Sequence, residues 1–440
     1  ICDKDHFRSV RGGSMRKIVC APENLIPQQL GEDIKYFSTY SNPRRENVGY
    51  FGSTLTRDIR RAGLRPSEKI WDFNTIALSV AAADNSLTRK DSADGWTRQI
   101  DLTVHLCNPS VWEPAKQEFE KTLRFLTGDF WSLTFNGNGV TPPRAKRLKR
   151  FDSDCVSLLS GGVDSLAGAI DIVADKHKPI FISQVVRGDA KTQRYYAKKI
   201  RPESAHFQWS HKIHPPKGES EGSTRGRSII FFAFAALAAS SIQTQSDSPA
   251  DIYVPENGFI SLNIPLNSGR MGSFSTKTTH PVYLKGIQDL WNEVGISLNL
   301  IMPYQFKTKG EVLAECKNQQ LLKELVFQSV SCGKYRVYKM QHCGRCVPCL
   351  VRRAAFQQWG EADQTSGGYY SEQLDRINHG NPDDVGAAAS ACLVAEQSGI
   401  HRLISGNLSF ADHQNRGDFE GVFSRGLSEV KELLLDKGVI

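Results

Sequence analysis

Four cysteines in the last third of the chain have a spacing that suits a metal ion. They form the pattern C-x10-C-x2-C-x2-C with Cys332, Cys343, Cys346 and Cys349. Four thiolates spaced in this way can close a tetrahedron around Zn²⁺ and leave no open position. Such a site stabilises the fold and performs no chemistry itself. An iron–sulfur cluster is the alternative occupant, and His342 is an alternative ligand.

A second stretch, at residues 156–172, reads VSLLSGGVDSLAGAIDI and combines a strand, a glycine turn and the start of a helix. The apolar run at 156–159 suits a strand, and apolar residues recur at helical spacing from 163 to 173. Backbone N–H groups and the positive end of the helix dipole then point at one place, which suits a phosphate group. No lysine follows the glycines, so the stretch is not a Walker loop. An ordinary strand–helix turn is the alternative.

The surrounding elements predict a parallel sheet whose strand ends share one crevice. Strand-like runs at 179–186, 205–209 and 252–255 alternate with helical runs at 190–200 and 228–240. Alternation of this kind predicts helices on both faces of the sheet, with ligands outside the carboxyl ends of the strands. The crevice would gather residues 160–165, residues 256–258 and the loop before Ser228. In that loop, Arg225 and Arg227 either bind an anion or are solvated arginines at a helix start.

Composition and pattern divide the chain into segments. We expect a tag or tethered peptide at 1–14, which ends in a linker-like RGGS, an α+β domain at 15–143, a nucleotide-binding domain at 151–330, and a zinc-binding segment with C-terminal helices at 331–440. The α+β expectation depends on strand-like runs at 70–73, 75–80, 99–106 and 130–135 and on a helical run at 112–126.

The composition is that of an ordinary globular protein of two or three domains. The 440 residues include 40% hydrophobic and 23% charged residues, with a net charge of +8. This mild charge is compatible with an anionic substrate or a nucleic acid and demonstrates neither. A basic cluster at 144–150 is either a solvated boundary or a contact for a polyanion or an acidic partner. Without an apolar run long enough for a membrane or a signal-peptide pattern, we expect a cytoplasmic protein.

The string SGGVDS at 160–165 resembles the pyrophosphate loop of the ATP-pyrophosphatase (PP-loop) enzymes. These enzymes cleave ATP between its α and β phosphates to adenylylate a substrate. Further downstream, the pair Ser-Cys at 331–332, the run CGRCVPC at 343–349 and Arg352 follow in order. Together these motifs resemble 7-cyano-7-deazaguanine synthase, the QueC family. The fold that this likeness implies is a Rossmann-like PP-loop domain with a parallel sheet.

The likeness covers about residues 155–360 and includes an Arg-Ser pair at 227–228, where QueC has Arg-Asn. The sequence departs from QueC in the loop at 261–280 and in the segment 386–440, and its N-terminal domain has no QueC counterpart. In its length the chain resembles the QueC-like proteins of bacterial anti-phage operons, the QatC group among them.

The resemblance implies that ATP adenylylates the carboxylate of 7-carboxy-7-deazaguanine and that pyrophosphate leaves. It implies catalytic roles for Asp164, Ser165 and Arg227, with Mg²⁺ held by Asp164 directly or through water. The residues expected to bind ATP are Ser160, Gly161, Gly162, Asp164, Ser165 and Glu256. An amine would then attack the acyl adenylate, and the added N-terminal domain favours a macromolecular acceptor, such as the N-terminal amine of a partner protein encoded in the same operon.

Three other functions stay open at the level of the sequence. With ammonia as the amine, the product would be 7-cyano-7-deazaguanine. A PP-loop enzyme that modifies tRNA would use the basic cluster to bind RNA, which we do not favour. A module that only senses a nucleotide would have no need for Asp164.

Overall fold

The computed structural model describes residues 16–185, 189–218, 220–222, 224–243, 248–266, 277–374 and 383–440. The predicted tag or tethered peptide at 1–14 and the middle of the predicted loop at 261–280 lie outside the described residues.

Contacts within the chain divide it into two compact units. Unit 1 contains the described residues up to Lys149 together with Trp209–Ser241 and Lys285–Ser297. Unit 2 contains Arg150–Gln208, Ile242–Leu284 and Leu298–Ile440. The sequence analysis assigned residues 209–241 and 285–297 to the nucleotide domain, whereas the structure groups them with unit 1. One reason is that Trp291 packs edge-on against Phe73, with ring centroids 5.8 Å apart.

The first sheet has five parallel strands in the described part of unit 1. They are β1 Arg16–Ala21, β2 Ile34–Thr39, β3 Val48–Phe51, β4 Gln99–His105 and β5 Phe130–Asn136. Their order in the sheet is β3-β2-β1-β4-β5. The expected small α+β domain is therefore wrong in its topology, because parallel pairing requires crossover connections rather than hairpins.

The second sheet, also of five strands among the described residues, repeats this arrangement. Its strands are β6 Cys155–Leu158, β7 Pro179–Gln184, β8 His206–Trp209, β9 Ala250–Tyr253 and β10 Leu298–Ile301. The order is β10-β9-β6-β7-β8, with β6 parallel to both β7 and β9 and β9 parallel to β10. Taken in chain order, each sheet reads 3-2-1-4-5, which is the order found in doubly wound α/β folds. The predicted α/β class is confirmed at this level.

The helices of the described residues connect and cover these strands. In chain order they are α1 Leu55–Ala62, α2 Glu68–Ser86, α3 Pro109–Trp112, α4 Lys116–Thr127, α5 Val163–Ala174, α6 Ala190–Ile200, α7 Ile229–Gln243, α8 Gly258–Ser261, α9 Pro281–Glu293, α10 Lys309–Ala314, α11 Gln319–Leu325, α12 Val347–Trp359, α13 Asp384–Ser398, α14 His401–Ile404 and α15 His413–Asp436. The C-terminal segment is helical, as the sequence predicts.

The strands predicted at 70–73 and 75–80 are wrong, because both runs lie within α2. The helix begins after Ser67, whose hydroxyl oxygen accepts a hydrogen bond from the backbone N–H of Ile70 (3.4 Å). Almost every later residue of α2 is buried. A helix that is buried on all sides has no polar face, so its sequence lacks the period of 3.6 residues that identifies amphipathic helices.

Candidate functional site

The glycine turn at 160–162 connects β6 to α5 and has a compact internal structure. Gly161 has a φ of +95°, a left-handed conformation that favours glycine. The N–H of Gly161 donates to Oγ of Ser165 (3.2 Å), and the N–H of Gly162 donates to Oγ of Ser160 (3.3 Å). The two hydroxyls are themselves 3.0 Å apart. The turn therefore places both serines and the first turn of α5 at the carboxyl end of β6.

Neighbouring elements hold this turn from outside. The side-chain amide of Gln193, on α6, donates to the carbonyl oxygen of Ser160 (3.0 Å). The backbone N–H of Val330 donates to the carbonyl oxygen of Gly161 (3.1 Å). The segment that precedes the cysteine cluster thus contacts the glycine turn directly.

Asp164, in the first turn of α5, is the centre of a buried polar cluster. It is only 5% exposed and forms an ion pair with Lys309, which is also 5% exposed. The side-chain amide of Asn257 donates to Oδ1 of Asp164 (3.4 Å) and to Oε1 of Glu256 (3.3 Å). Two carboxylates, one ammonium and one amide therefore meet at the N-terminal end of α5.

The half-buried Glu256 is the second acid of this cluster. The surrounding protein removes it from water, and the charge of Asp164 disfavours a second negative charge nearby. Both effects raise the pKa of Glu256 well above its ordinary value of 4.5, whereas Lys309 acts in the opposite direction. Two acids that face one ammonium are suited to bind a cation or to share a proton.

The sheet order explains why these residues meet. Asp164 follows β6, the first strand of unit 2, and Glu256 and Asn257 follow β9, its fourth strand. β6 and β9 are neighbours in the sheet. From β6 the chain continues to β7 on one side of this pair, and from β9 it continues to β10 on the other side. In doubly wound sheets, ligands bind outside the carboxyl ends of the strands at this switch point. The cluster therefore occupies the position where such a fold binds its ligand.

Lys309 and Asn257 are parts of the site that the sequence analysis did not identify. Lys309 is the first residue of α10, after the N-cap Thr308, which forms a capping box with Glu311. The string Thr-Lys-Gly-Glu at 308–311 is a recognisable helix start shortly after β10. That pattern predicts a helix at this place but does not indicate that its lysine reaches Asp164.

Arg227 belongs to unit 1, whereas the residues predicted to bind ATP belong to unit 2. It is exposed and stands in a short 3₁₀ turn, Gly226–Ser228, before α7. Burial lowers the pKa of His211, in the same unit, to about 4, and the positive charge of Arg227 contributes to this shift.

Arg225 takes part in a buried charge network of unit 1. Its backbone N–H donates to Oδ2 of Asp84 (2.6 Å), and its guanidinium donates to the carbonyl oxygen of Thr127 (3.1 Å). Asp84 also pairs with Arg98, which donates in turn to Asp129 (2.6 Å). The sequence analysis left Arg225 as an anion ligand or a solvated residue, and the structure shows a buried residue that connects the start of α7 to α2.

The four predicted metal ligands come together in unit 2. The side chains of Cys332, Cys343, Cys346 and Cys349 are buried, and their Sγ atoms all lie within 4.8 Å of one another. The Sγ atoms of Cys332 and Cys346 are 3.9 Å apart, and those of Cys343 and Cys349 are 3.8 Å apart. Zn–S bonds of about 2.3 Å in a tetrahedron require sulfur–sulfur distances of roughly 3.8 Å. The cluster is therefore able to hold a metal ion such as zinc.

Backbone groups support this interpretation. The N–H of Lys334 donates to Sγ of Cys332 (3.3 Å), and the N–H of Cys346 donates to Sγ of Cys343 (3.3 Å). Such bonds stabilise thiolates and fix their direction. His342 is not one of the grouped ligands. Its Nε2 accepts a hydrogen bond from the backbone N–H of Ser331 (3.2 Å).

Arg352 connects the cysteine segment to the rest of unit 2. Its side chain is completely buried, and its guanidinium donates to Oγ of Ser329 (2.7 Å) and pairs with Asp363 (3.5 Å). These contacts fix the segment 329–331, in which Val330 contacts the glycine turn.

The fold and site define an α/β protein with two parallel five-stranded sheets, a polar cluster at one switch point and a four-cysteine site. Comparisons with protein families and with curated proteins found no match for this chain. None of the helices in the described ranges has the length and apolar character needed to cross a membrane.

Proposed function

We propose that the chain is an ATP-dependent carbon–nitrogen ligase that adenylylates a carboxylate at the glycine turn of unit 2. The observation that carries this proposal is the meeting of the turn with Asp164, Glu256 and Lys309 at the switch point of a parallel sheet. Anionic ligands suit a helix start at such a position. The likeness to PP-loop enzymes specifies the anion as the triphosphate of ATP.

The residues of the turn have separate roles in this proposal. Gly161 and Gly162 let the backbone approach the phosphates without a Cβ atom in between. The hydroxyls of Ser160 and Ser165 and the N–H groups of the first turn of α5 donate hydrogen bonds to them. Lys309 supplies positive charge where negative charge grows on the departing pyrophosphate.

Asp164 and Glu256 suit Mg²⁺, which proteins usually hold through one or two carboxylates together with substrate phosphates. Removal from water and the nearby charge of Asp164 raise the pKa of Glu256, and a bound cation would relieve the repulsion between the two acids. When bound, Mg²⁺ would neutralise phosphate charge. We assign Zn²⁺ to the four cysteines, where it stabilises the segment beside the turn.

The substrate follows from the resemblance and not from the geometry. We propose 7-carboxy-7-deazaguanine, whose carboxylate oxygen forms a bond to the α-phosphorus of ATP while the bond to pyrophosphate breaks. An amine then attacks the acyl carbon, AMP leaves and an amide forms. The likeness to proteins of anti-phage operons favours the N-terminal amine of a partner protein as this amine. The role of Arg227 in stabilising charge remains a prediction from the same resemblance.

Pyrophosphate release tests the proposal. The protein with ATP, Mg²⁺, 7-carboxy-7-deazaguanine and its operon neighbours should release pyrophosphate. One neighbour should gain the mass of the substrate less one water, as read by intact-mass measurement. Asp164→Asn should slow pyrophosphate release by roughly 100-fold or more. The variant lacks the carboxylate that would hold Mg²⁺ at the phosphates, so the stabilisation of their charge is lost.

Asp171→Asn is a matched control on the same helix. Asp171 accepts hydrogen bonds from the hydroxyl of Tyr304 (2.5 Å) and from the backbone N–H of Lys317 (2.8 Å), away from the turn. This variant should keep its turnover even if its stability falls. Full turnover by the Asp164 variant, or no pyrophosphate from the wild type, contradicts the proposal. A free nitrile without mass gain on any protein identifies ammonia as the amine, and salt-sensitive binding of tRNA redirects the search to RNA.

A further inference from the structure

The C-terminal helix α15 contacts both segments that carry partners of Asp164. One segment is α8, which is capped by Asn257, and the other is α10, which begins at Lys309. In sequence, α15 lies beyond the second sheet and beyond the cysteine cluster. It belongs to the part of the chain that has no counterpart in the resemblance drawn from the sequence.

Glu429 of α15 holds the start of α10. It is 8% exposed, accepts a hydrogen bond from the hydroxyl of Thr308 and accepts a longer one from the backbone N–H of Gly310 (3.4 Å). Thr308 and Gly310 are the residues on either side of Lys309. Glu429 therefore binds the residues on both sides of the lysine that pairs with Asp164, Thr308 through its hydroxyl and Gly310 through its backbone.

Arg425, one turn earlier on α15, binds the same region. Its Nε donates to Oε1 of Glu311 (2.5 Å), and its NH2 group donates to the carbonyl oxygen of Phe306 (2.8 Å). Residues four apart lie on one face of a helix, so Arg425 and Glu429 act on α10 together.

The contact of α15 with α8 is apolar and close. Phe423 stacks on Phe259 with ring centroids 5.3 Å apart. A Cβ atom at Gly426 would lie 2.5 Å from the ring of Phe259, and one at Gly258 would lie 3.1 Å from Cγ1 of Val422. Both glycines let α15 and α8 approach each other more closely than side chains would allow, which leaves little freedom for the turn at Asn257.

We propose that α15 is the positioning element of the candidate site and that Glu429 and Arg425 are positioning residues for Lys309. α10 has only six residues, and so short a helix is marginal without tertiary contacts. Most of these contacts come from α12, and α15 adds the polar contacts at the first turn of α10, where the orientation of Lys309 is decided. The effect of α15 on turnover rests on the function proposed above, whereas its effect on the position of Lys309 does not.

The reactivity of Lys309 tests the positioning role without an activity assay. A buried, paired lysine reacts slowly with acetic anhydride, and the rate at each lysine can be read by peptide mass spectrometry. In the full-length protein, Glu429→Ala and Arg425→Gln should each raise the rate at Lys309 by roughly tenfold, through local opening. Arg425 is 49% exposed, so its variant should fold. Lys317, 49% exposed, serves as the internal reference.

Glu420→Gln is the matched control on the same helix. Glu420 pairs with Arg416 (3.1 Å) and not with α10, so this variant should leave the rate at Lys309 unchanged. Variants of Glu429 and Arg425 that lower the melting temperature but leave Lys309 as protected as in the wild type would overturn the proposal.

Pyrophosphate release separates this inference from the proposed function. If the wild type is active, Glu429→Ala should lower kcat more than it raises KM for ATP, and Glu429→Gln, which keeps one acceptor oxygen, should recover part of the loss. Equal activity in Glu429→Ala and wild type contradicts the positioning role. If the wild type releases no pyrophosphate, the proposed function fails, and the acetylation rates still decide the role of α15.

Discussion

Gly161 is the residue whose conformation the candidate site requires most directly. Its φ of +95° is strained for any residue with a Cβ atom. An alanine there would meet Cγ of Gln193 at an ordinary 3.5 Å, so the cost comes from the backbone and from the lost approach to a phosphate. We expect Gly161→Ala to lower stability by about 1–2 kcal/mol and to weaken ATP binding severalfold, as measured by calorimetry.

Gly360 provides the control for this prediction. It has a φ of +77° after the end of α12, and no atom lies within 4 Å of a Cβ built there. Gly360→Ala should therefore show a similar loss of stability with unchanged ATP binding. Equal ATP affinities in the two variants would argue against a phosphate at the turn.

Single residues of the site differ in how well the sequence identifies them. The turn from Ser160 to Ser165 could be recognised because its residues are contiguous and have a typical order. Asn257 and Lys309 stand 93 and 145 positions after Asp164, and only the strand order brings them to it. No local sequence pattern indicates contacts over such separations, so Asn257 and Lys309 could be identified only from the structure.

Helix α15 gives a prediction at the scale of elements, because burial raises the pKa of Glu429 from 4.5 to about 7. The neighbouring acids Glu311 and Glu432 raise it further, whereas the bonds from Thr308 and Gly310 lower it. A carboxyl with a raised pKa in the folded state contributes stability that is fully present below about pH 4.5. That contribution is lost as the pH rises through 7.

The stability of the wild type relative to Glu429→Gln should therefore fall between pH 5 and pH 8. The expected slope is at most about 1.4 kcal/mol for each pH unit, since one titrating group is involved. Urea unfolding of both proteins at several pH values measures this difference. Arg425 is paired with Glu311 in both proteins, so its charge does not contribute to the difference in stability between them. Parallel stability curves would show that Glu429 does not titrate in this interval.

β4 and β5, which have one polar face, were predicted correctly, whereas α2, which has none, was not. β4 and β5 alternate buried and less buried residues, so the sequence identifies them as strands. α2 is buried on all sides and contains many β-branched and aromatic residues, so the same rules indicate strands. The local propensity of these residues favours a strand, but burial in the tertiary structure makes this segment a helix.

At the scale of the whole molecule, the strand order of unit 2 repeats that of unit 1, yet the sequence indicated only one such sheet. The reason lies in the connections. β1 leads to β2 through Pro22 and a short 3₁₀ turn, and the 40–47 connection from β2 to β3 has no helix. Without a glycine turn and a helix between these strands, the pattern typical of parallel sheets is absent from β1 to β3.

Unit 2 alone contains the cysteine cluster, which leads to a prediction about the whole chain. The protein should contain one zinc ion per chain, as measured by elemental analysis. Cys346→Ser, which removes one ligand, should release the ion and free the segment that carries Val330 from the carbonyl of Gly161. Hydrogen exchange should then accelerate at residues 160–166 and 329–350, while β4 of unit 1 stays protected.

Cys316→Ser is the matched control, since Cys316 is a buried cysteine of unit 2 outside the cluster. It should retain the zinc and the slow exchange of the turn. The reason for the contrast is that a metal ion stabilises only the segments that its ligands connect. Here the ligands hold residues 332–349 together, directly after Val330, which contacts the glycine turn. Uniform acceleration across both units would indicate that the ion supports the whole fold, and unchanged exchange at 160–166 would show that the turn keeps its structure without it.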